Sequence, residues 1–543
     1  MNRSSLLKPN HRQIDWLSRS MTAFLHFGMN TFTSNEWGDG QDDPALFAPS
    51  ELDTRQWIRT LKEAGFSCAI LTAKHHDGFC LWPSKYTDYT VAASPYKDGK
   101  GDIVREFTDA CHEFGMKAGI YLSPWDRHEK SWGSDAYNDF YVGQLTELLT
   151  NYGEIYEVWW DCAGSKDAVY DWERWGKTVR ALAPNAVIFG ARGATPFVDV
   201  RWVGNEKGVA GIPCYLTLKE STLWDEIVPE LNVGDAEGNR FAPAEVDVSI
   251  RPGWFYKEEQ NDFVRSAENL FSLWMSSLGR GAGLLLNIPP DKRGLLHEKD
   301  VASLLSFSEY LNRSLSENLA IEATVTKVPL KTNDMENADG FCEQITYIFD
   351  EPKAINTITV KENVLEGQAI MGVKVYAKIN GEWKELFTSP CIGMQCTRQF
   401  DECLASAVRI CITRSLAPPR IEFVGIYRFD EFKERRAQKL TGQNLATLPT
   451  AKITREGNTF YVDLGGVYPF NYFRMEGTDL KSFTLSLFNG SAYDVVCQKK
   501  TYFDAPAEHR FDPICDFAYR LKIEVEEAKH NEIFMRKIEI MKV

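Results

Sequence analysis

The 543-residue sequence lacks three features that would have pointed to particular protein classes. No run of roughly 18 apolar residues is present, so no transmembrane helix is predicted. Its 12 cysteines are scattered without a Cys-x-x-Cys pair, which signals neither a zinc site nor a disulfide-stapled fold. Positive charge is also scarce. The 61 Lys and Arg against 76 Asp and Glu give a net charge of −15, which argues against nucleic acid or an anionic membrane as a partner.

The first residues, Met1 to Lys8, lack the hydrophobic core of a secretory signal. Two locations therefore stay open, the cytoplasm and a compartment reached with a signal that has been removed. Apolar residues make up 44% of the chain, and its length predicts several domains. The 15 Trp exceed what cores of this size usually need, and surplus Trp often lines sugar sites or interfaces.

Between about residues 20 and 310, short β-rich runs alternate with helical stretches, which is typical of β/α units around a parallel sheet. Eight such units predict a (β/α)8 TIM-like barrel, and we assign residues 1–315 to this catalytic domain. In that fold the active site lies at the C-terminal ends of the strands. The eight predicted strands begin at Met21, Cys68, Lys117, Tyr156, Ala186, Asp199, Glu245 and Gly283.

After residue 315 the helical pattern gives way to alternating strands with Asn-Gly turns. Two all-β sandwiches are predicted, at 316–430 and 448–543, with a charged and polar linker at 431–447. The segment from Gln344 echoes the segment from Phe460, which indicates that the two sandwiches have a related build.

Polar residues follow nearly every predicted barrel strand: His26, His75 with His76, Tyr121, Asp161, Arg192, Glu206, Arg251 and Asn287. Two of them are acids that close strand-like runs, Glu157–Asp161 and Asp199–Glu206. A buried charge costs several kcal/mol unless the site uses it. Two carboxylates among many aromatics suggest glycoside hydrolysis by an acid and a nucleophile. The alternative is that both acids cap the loops that follow them.

Four separated motifs resemble the family 29 α-L-fucosidases of glycoside hydrolases: His26-Phe-Gly, Lys74-His-His-Asp-Gly-Phe79, Trp159-Trp-Asp161 and the Glu206 strand. The resemblance covers about residues 20 to 310. The segments Trp202–Glu206 and Ser249–Trp254 are similar to the branch that acts on α-1,3- and α-1,4-linked fucose of Lewis-type glycans. The resemblance implies a retaining exo-hydrolase that needs no cofactor or metal. The family's broad-specificity branch is the alternative, and a carbohydrate-binding protein on a disabled barrel is the alternative from another class.

The resemblance also implies a role for each site residue. Asp161 stands at the nucleophile's position and Glu206 at the acid/base position. The remaining residues would bind fucose: Glu36 and Trp37 as a contact pair, His26, His75, His76, Tyr121 and Arg192 through the sugar hydroxyls, and Trp254 as an apolar wall.

Outside the barrel, the two sandwiches resemble discoidin-like, galactose-binding modules, which makes them candidates for glycan contact. The expected partners are fucosylated oligosaccharides or glycoconjugates, and the resemblance favours a periplasmic or extracellular location after signal removal.

Three local questions stay open in the sequence. His75 and His76 could hold a metal, although adjacent residues on a strand point to opposite faces and no ligand triad accompanies them. Arg251 could pair with Glu245 or Asp247 rather than serve the site. The 207–244 insertion, with Trp202 and Trp224, is long enough to build a second sugar subsite. Its alternative role is to cover the barrel or meet the first sandwich.

Overall fold

The computed structural model describes most of the chain: residues 6–19, 21–161, 163–164, 168–190, 197–223, 228–329, 339–340, 342–430, 443–465, 468, 470–477, 480–488, 493–500, 507–515, 518, 520–528 and 535–542.

Eight parallel strands close into a barrel in sequence order, which confirms the predicted (β/α)8 architecture. The strands are β1 Met21–Leu25, β2 Phe66–Lys74, β3 Lys117–Leu122, β4 Glu157–Trp160, β5 Val187–Gly190, β6 Val200–Trp202, β7 Ala244–Ser249 and β8 Gly283–Asn287. They are almost wholly buried, as expected of parallel strands covered on both faces. Each predicted strand is present, but most end before the polar residues that follow them, which therefore lie at the barrel mouth.

Amphipathic helices surround the barrel: Thr54–Glu63, Ile103–Glu113, Asp135–Asn151, Trp172–Leu182, Ala267–Ser276 and Glu298–Leu315. Acidic or hydroxyl side chains cap several of them, as Asp53 does by accepting from the Arg55 and Gln56 amides. Before the helix Ala267–Ser276, Glu258–Phe263 forms a separate 3-10 helix, and Ser266 caps the α-helix that follows it. Shorter helices are His11–Leu17, Met29–Thr33 and Pro229–Val233.

The connection from β6 to β7 departs from a regular β/α unit. It contains a two-residue strand pair, Thr217–Leu218 with Arg240–Phe241, and the short helix Pro229–Val233. Part of it leaves the barrel for the first β region. The Leu216 amide donates to Gln368 Oε1 at 2.8 Å, and Leu216 and Phe241 cluster with Val364. This part of the insertion therefore meets the first β region, where the sequence predicts the first sandwich. Such a contact is one of the roles that the sequence left open.

The first β region forms one continuous sheet in the described residues. Its long strands are Thr324–Pro329, Glu343–Glu362, Ile370–Ile379, Glu382–Ser389, Cys396–Ser415 and Ile421–Tyr427. Two of them run for 20 residues and carry register shifts, for example between Ile348 and Lys353. Such irregularities bend strands. The bent sheet encloses its own apolar core around Ile358 and Ile410.

The second β region is a sandwich of two antiparallel sheets. One sheet contains Lys452–Glu456, Thr459–Asp463, Leu480–Phe488, Tyr493–Lys500 and Arg520–Ala528, and the other contains Phe470–Gly477, Ala507–Cys515 and Met535–Met541. Phe473 and Phe483 belong to the core between them. Most of the predicted linker, residues 431–442, lies outside the described residues. The Asn444 amide donates to the Ile538 carbonyl at 2.7 Å, so the following segment packs on this sandwich.

Both β regions contact the side of the barrel. Arg398 donates to the Gly279 carbonyl at 3.0 Å from the first region, and Lys542 of the second pairs with Glu268. The exact domain boundaries remain a prediction. Among the described residues, no helix combines the length and apolarity needed to cross a membrane.

Candidate active site

A cavity of about 200 Å³ opens at the C-terminal ends of the barrel strands. Nine of the ten predicted site residues line it, and Arg192, the tenth, lies outside the described residues. The described lining is Phe24, His26, Glu36, Trp37, His75, His76, Tyr121, Trp159, Asp161, Ala163, Glu206, Asp247 and Trp254.

Asp161 follows directly after β4, whose aromatic residues are buried in the barrel. Its Oδ1 accepts the Ala163 amide at 2.9 Å, and its Oδ2 accepts the Tyr121 hydroxyl at 3.1 Å. Burial raises the pKa of Tyr121 well above 10, so the phenol keeps the proton that it donates. Each carboxylate oxygen is thus held by a neutral donor, while the side chain stays 29% exposed towards the cavity.

Glu206 lies at the cavity mouth, where the residue is exposed to solvent and its side chain lines the cavity beside Asp161 and Trp254. Desolvation of the carboxyl group raises its pKa, the Asp161 charge raises it further, and a hydrogen bond with the Trp254 side chain opposes both effects. A raised pKa lets this carboxyl group hold a proton at a higher pH than an ordinary glutamic acid does. Environments that divide two neighbouring carboxyls in this way are typical of acid/base pairs.

His26 presents a hydrogen-bond acceptor to the cavity. Asn287 Nδ2 faces the Trp254 carbonyl at 2.8 Å, and a carbonyl can only accept. The Asn287 Oδ1 therefore faces His26 Nδ1 at 2.8 Å and takes the proton from this nitrogen. Burial lowers the pKa of His26 to about 3, so the ring is neutral with a lone pair on Nε2.

His76 is fixed in the same tautomer by a different partner. The Ser123 hydroxyl donates to the Trp125 carbonyl at 2.7 Å, so it accepts from His76 Nδ1 at 2.7 Å. Burial lowers the pKa of His76 to about 4. The His76 Nε2 lies 3.9 Å from Asp161 Oδ2, beyond hydrogen-bond distance. Two neutral imidazoles with acceptor nitrogens match ligands that offer hydroxyl donors, as sugars do.

His75 lines the cavity beside His76, with their ring centroids 4.0 Å apart. Both can face one cavity because β2 ends at Lys74, so strand alternation no longer separates them. Burial and the neighbouring histidines lower the pKa of His75 well below 6.5. No group of three or more candidate metal ligands occurs in the described part of the chain.

Glu36 connects the loop after β1 to the loop after β7. Its Oε2 accepts the Trp254 amide at 3.0 Å, and its Oε1 lies 3.0 Å from Lys257 Nζ. A Cβ at Gly253 would lie 2.3 Å from Glu36 Oε1, so any side chain at residue 253 would displace the Glu36 carboxylate. Glu36 therefore positions the Trp254 loop in addition to lining the cavity.

Aromatic rings form the floor and the rim. Trp159 stacks on Phe189 with centroids 4.2 Å apart and lines the cavity with Phe24. Trp254 lies 5.1 Å from the His26 ring. At the rim, Trp37 is 58% exposed and packs edge-on against Trp125 at 5.9 Å.

Sequence reasoning missed Asp247, Phe24 and Trp159 as lining residues. For Asp247 a signal was available in the alternation of Glu245-Val-Asp-Val-Ser249. This alternation places Glu245 and Asp247 on one face of the strand and its apolar residues on the other face. Arg251 is structural, but the predicted partners are wrong. It pairs with Asp300 at 2.9 Å and donates to Asn261 at 3.0 Å. Asp300 lies in the helix Glu298–Leu315, and Asn261 lies in the 3-10 helix Glu258–Phe263.

Two carboxyl groups in different environments lie at the mouth of a β/α barrel, and aromatic rings and neutral histidines surround them. This arrangement is typical of the active site of a glycoside hydrolase. Comparisons with known proteins agree. The alpha-L-fucosidase family model matches residues 7–315, which is more than half of the chain. An Arabidopsis thaliana protein described as alpha-L-fucosidase 1 is 38% identical over 478 residues, covering 81% of this chain and 93% of that protein.

Two solved structures extend the comparison. A glycoside hydrolase 29 family member from an unknown rumen bacterium matches with a TM-score of 0.74 and 31% identity, covering 99% of this chain and 100% of the other. A Ruminococcus gnavus GH29 fucosidase solved in complex with fucose matches with a TM-score of 0.71 and 29% identity, covering 79% and 96%. The chain belongs to the alpha-L-fucosidase family and is a glycoside hydrolase.

Proposed function

We propose that this fucosidase is a retaining exo-enzyme that removes terminal α-1,3- and α-1,4-linked fucose from glycans, with Asp161 as nucleophile and Glu206 as acid/base. The observation that carries the mechanism is the environment of the two carboxyls. Asp161 is oriented by the Ala163 amide and the Tyr121 hydroxyl, whereas Glu206 has a raised pKa beside it. A cavity of about 200 Å³ suits a single sugar ring, which supports exo cleavage.

In the first step Asp161 attacks the anomeric carbon and forms a glycosyl ester. The glycosidic C–O bond breaks, and Glu206 gives its proton to the departing oxygen. In the second step Glu206 takes a proton from water, whose oxygen attacks the same carbon and releases Asp161 as a carboxylate. Two inversions return the original anomeric configuration. Neutral His26 and His76 accept hydrogen bonds from sugar hydroxyls, and Trp254 covers the apolar face.

A trapping experiment tests the mechanism directly. A 2-deoxy-2-fluoro-fucosyl donor with a good leaving group forms the ester quickly and hydrolyses it slowly. Mass spectrometry of peptides should then find the sugar on Asp161. Labelling of another residue, or release of product with inverted configuration by NMR, would rule out the assigned double displacement.

The linkage preference is supported by the aromatic rim. Exposed Trp37, packed on Trp125, offers a surface next to the fucose pocket for the adjoining sugar. Binding energy from that sugar can stabilise the transition state. Part of the 207–244 insertion is directed away from this rim, because Leu216 packs on the first β region. Residues 224–227, with Trp224, lie outside the described residues.

A substrate panel decides between the two branches of the family. We expect Lewis trisaccharides to be cleaved with a much higher kcat/KM than 2′-fucosyllactose, since only the branched substrates place galactose beside fucose on one GlcNAc. Equal rates would indicate the broad-specificity branch. Glycan contact by the β regions is a separate proposal, tested by titrating an Asp161→Asn protein with fucosylated oligosaccharides and counting binding sites beyond the barrel pocket.

A further inference from the structure

A third carboxyl group shares the cavity with Asp161 and Glu206. Asp247 lies on β7, is 4% exposed and lines the same pocket. The Trp202 indole of neighbouring β6 donates from Nε1 to Asp247 Oδ1 at 2.7 Å, which fixes the orientation of the carboxyl group. Neither the double displacement nor the sugar contacts assigned above use this residue.

The charges around Asp247 disfavour a carboxylate. None of the described residues that line the cavity is a lysine or an arginine, and burial keeps the lining histidines neutral. Glu206 faces Asp247 from the loop after β6, Asp161 faces it from the end of β4, and Trp202 supplies only a neutral donor. Like charges in one buried site cannot all ionise. Burial raises the pKa of Asp247 well above 3.8, and negative charge on Glu206 or on Asp161 raises it further.

We propose that Asp247 is a substrate-contacting residue that works as a neutral carboxylic acid, with Oδ1 held by Trp202 and the hydroxyl of its other oxygen donated to the bound sugar. This proposal rests on the assigned roles of Asp161 and Glu206. The donor complements the site, because His26 and His76 offer acceptors to the same ligand. Trp202 then acts as a positioning residue for the Asp247 hydroxyl.

The experiment compares Asp247→Asn with Asp247→Ala on a Lewis trisaccharide. Asparagine is uncharged, keeps an oxygen for the Trp202 indole and offers an N–H donor to the sugar. We expect Asp247→Asn to lose several-fold in kcat/KM and Asp247→Ala to lose about 100-fold, because only alanine leaves the sugar hydroxyl unpaired in a site built to bind it. Equal losses in both variants would mean that the carboxylate charge matters, and no loss in either would mean that there is no contact. Both results overturn the proposal.

A double-mutant cycle with Trp202→Phe adds a readout that a merely structural role would not give. Trp202→Phe removes the indole N–H and should weaken the wild type several-fold, but it should have no further effect on Asp247→Ala. Additive losses would contradict the coupling.

Labelling of Asp161 by the fluorinated donor shows that each variant is folded and keeps its nucleophile. If Asp161 is labelled but the asparagine and alanine variants behave alike, the Asp247 proposal fails alone. If the wild type itself is not labelled at Asp161, the proposed mechanism fails first.

Discussion

Both ends of the barrel interior hold carboxyl groups, but the partners of these groups differ in charge. At the N-terminal end of β4, Glu157 is fully buried and accepts from Arg19 Nη1 at 2.8 Å. Arg19 also forms an ion pair with Asp15 at 3.1 Å, and Asp15 in turn pairs with Lys117. At the C-terminal end, Asp161 is held by a phenol and an amide, and Asp247 by an indole.

The difference shows which end is built for stability and which for chemistry. A buried ion pair holds a counter-charge permanently against its carboxylate, as Arg19 does for Glu157. Neutral donors hold a carboxyl group in position but leave its charge and its proton available to a ligand. The ion pair lies at the N-terminal end of the barrel and the neutral donors lie at the C-terminal end. Active sites in this fold lie at the C-terminal end. The predictions below remove one group at a time from each end.

The largest effect is expected for Asp161→Gly. Turnover should fall by several orders of magnitude, because the substitution deletes the nucleophile and no packing group. Added azide should restore part of the activity and give a fucosyl azide of inverted configuration. Rates with and without azide, and NMR of the product, measure this. An Asp161→Gly protein with near-normal activity would remove the nucleophile from this position.

Glu206→Gln should separate substrates by their leaving groups. Glycans whose departing hydroxyl needs a proton should lose about 10²- to 10⁴-fold in kcat, whereas an activated aryl fucoside should lose far less in the first step. The two substrates serve as controls for each other on one protein. Equal losses would indicate that Glu206 binds the sugar and does not donate a proton.

At the other end of the barrel, Arg19→Met should reduce stability by about 3–5 kcal/mol, because Glu157 is left buried without its cation. The folded variant should keep fucosidase activity. Urea unfolding followed by Trp fluorescence and by activity measures both effects. The matched control is Arg174→Met, which breaks an exposed pair with Asp139 and should cost little. Similar losses in the two variants would mean that the buried Arg19–Glu157 pair contributes no more to stability than an exposed pair.

Much of this architecture could be predicted from the sequence, because apolar runs define the barrel strands and the polar residues after them must meet at the mouth. The prediction was weaker wherever a partner comes from a distant element. Arg251 pairs with Asp300 on a later helix, and no local pattern indicates this contact. The same holds for Leu216, whose contact with Gln368 places part of the 207–244 insertion against the first β region. Asp247 was missed for another reason, since an acid on a buried strand has an obvious structural interpretation.

The smallest effect concerns the neutral histidines and follows from their titration. His76 has a pKa of about 4 in the folded protein, mainly through burial, against about 6.5 in an unfolded chain. Between these values the unfolded chain binds more protons, so stability falls as the pH is lowered from about 6.5 to 4. At pH 5 the resulting loss in the free energy of unfolding that is due to His76 is about 2 kcal/mol, relative to a pH above 6.5.

Replacing His76 with asparagine removes this titration while the charged groups that act on it, Asp161 at 3.9 Å and the cations Arg127 and Lys74, stay in place. Thermal unfolding of both proteins at pH 7 and pH 5 gives the difference of differences. The variant should lose less stability than the wild type on going to pH 5, since it no longer has an imidazole that must stay neutral to remain folded. Equal losses would mean that His76 takes up a proton in the folded protein at pH 5. Its Nε2 would then be a donor rather than the acceptor that the Ser123 hydrogen bond assigns to it, and the arrangement of neutral groups at this end of the barrel would have to be revised.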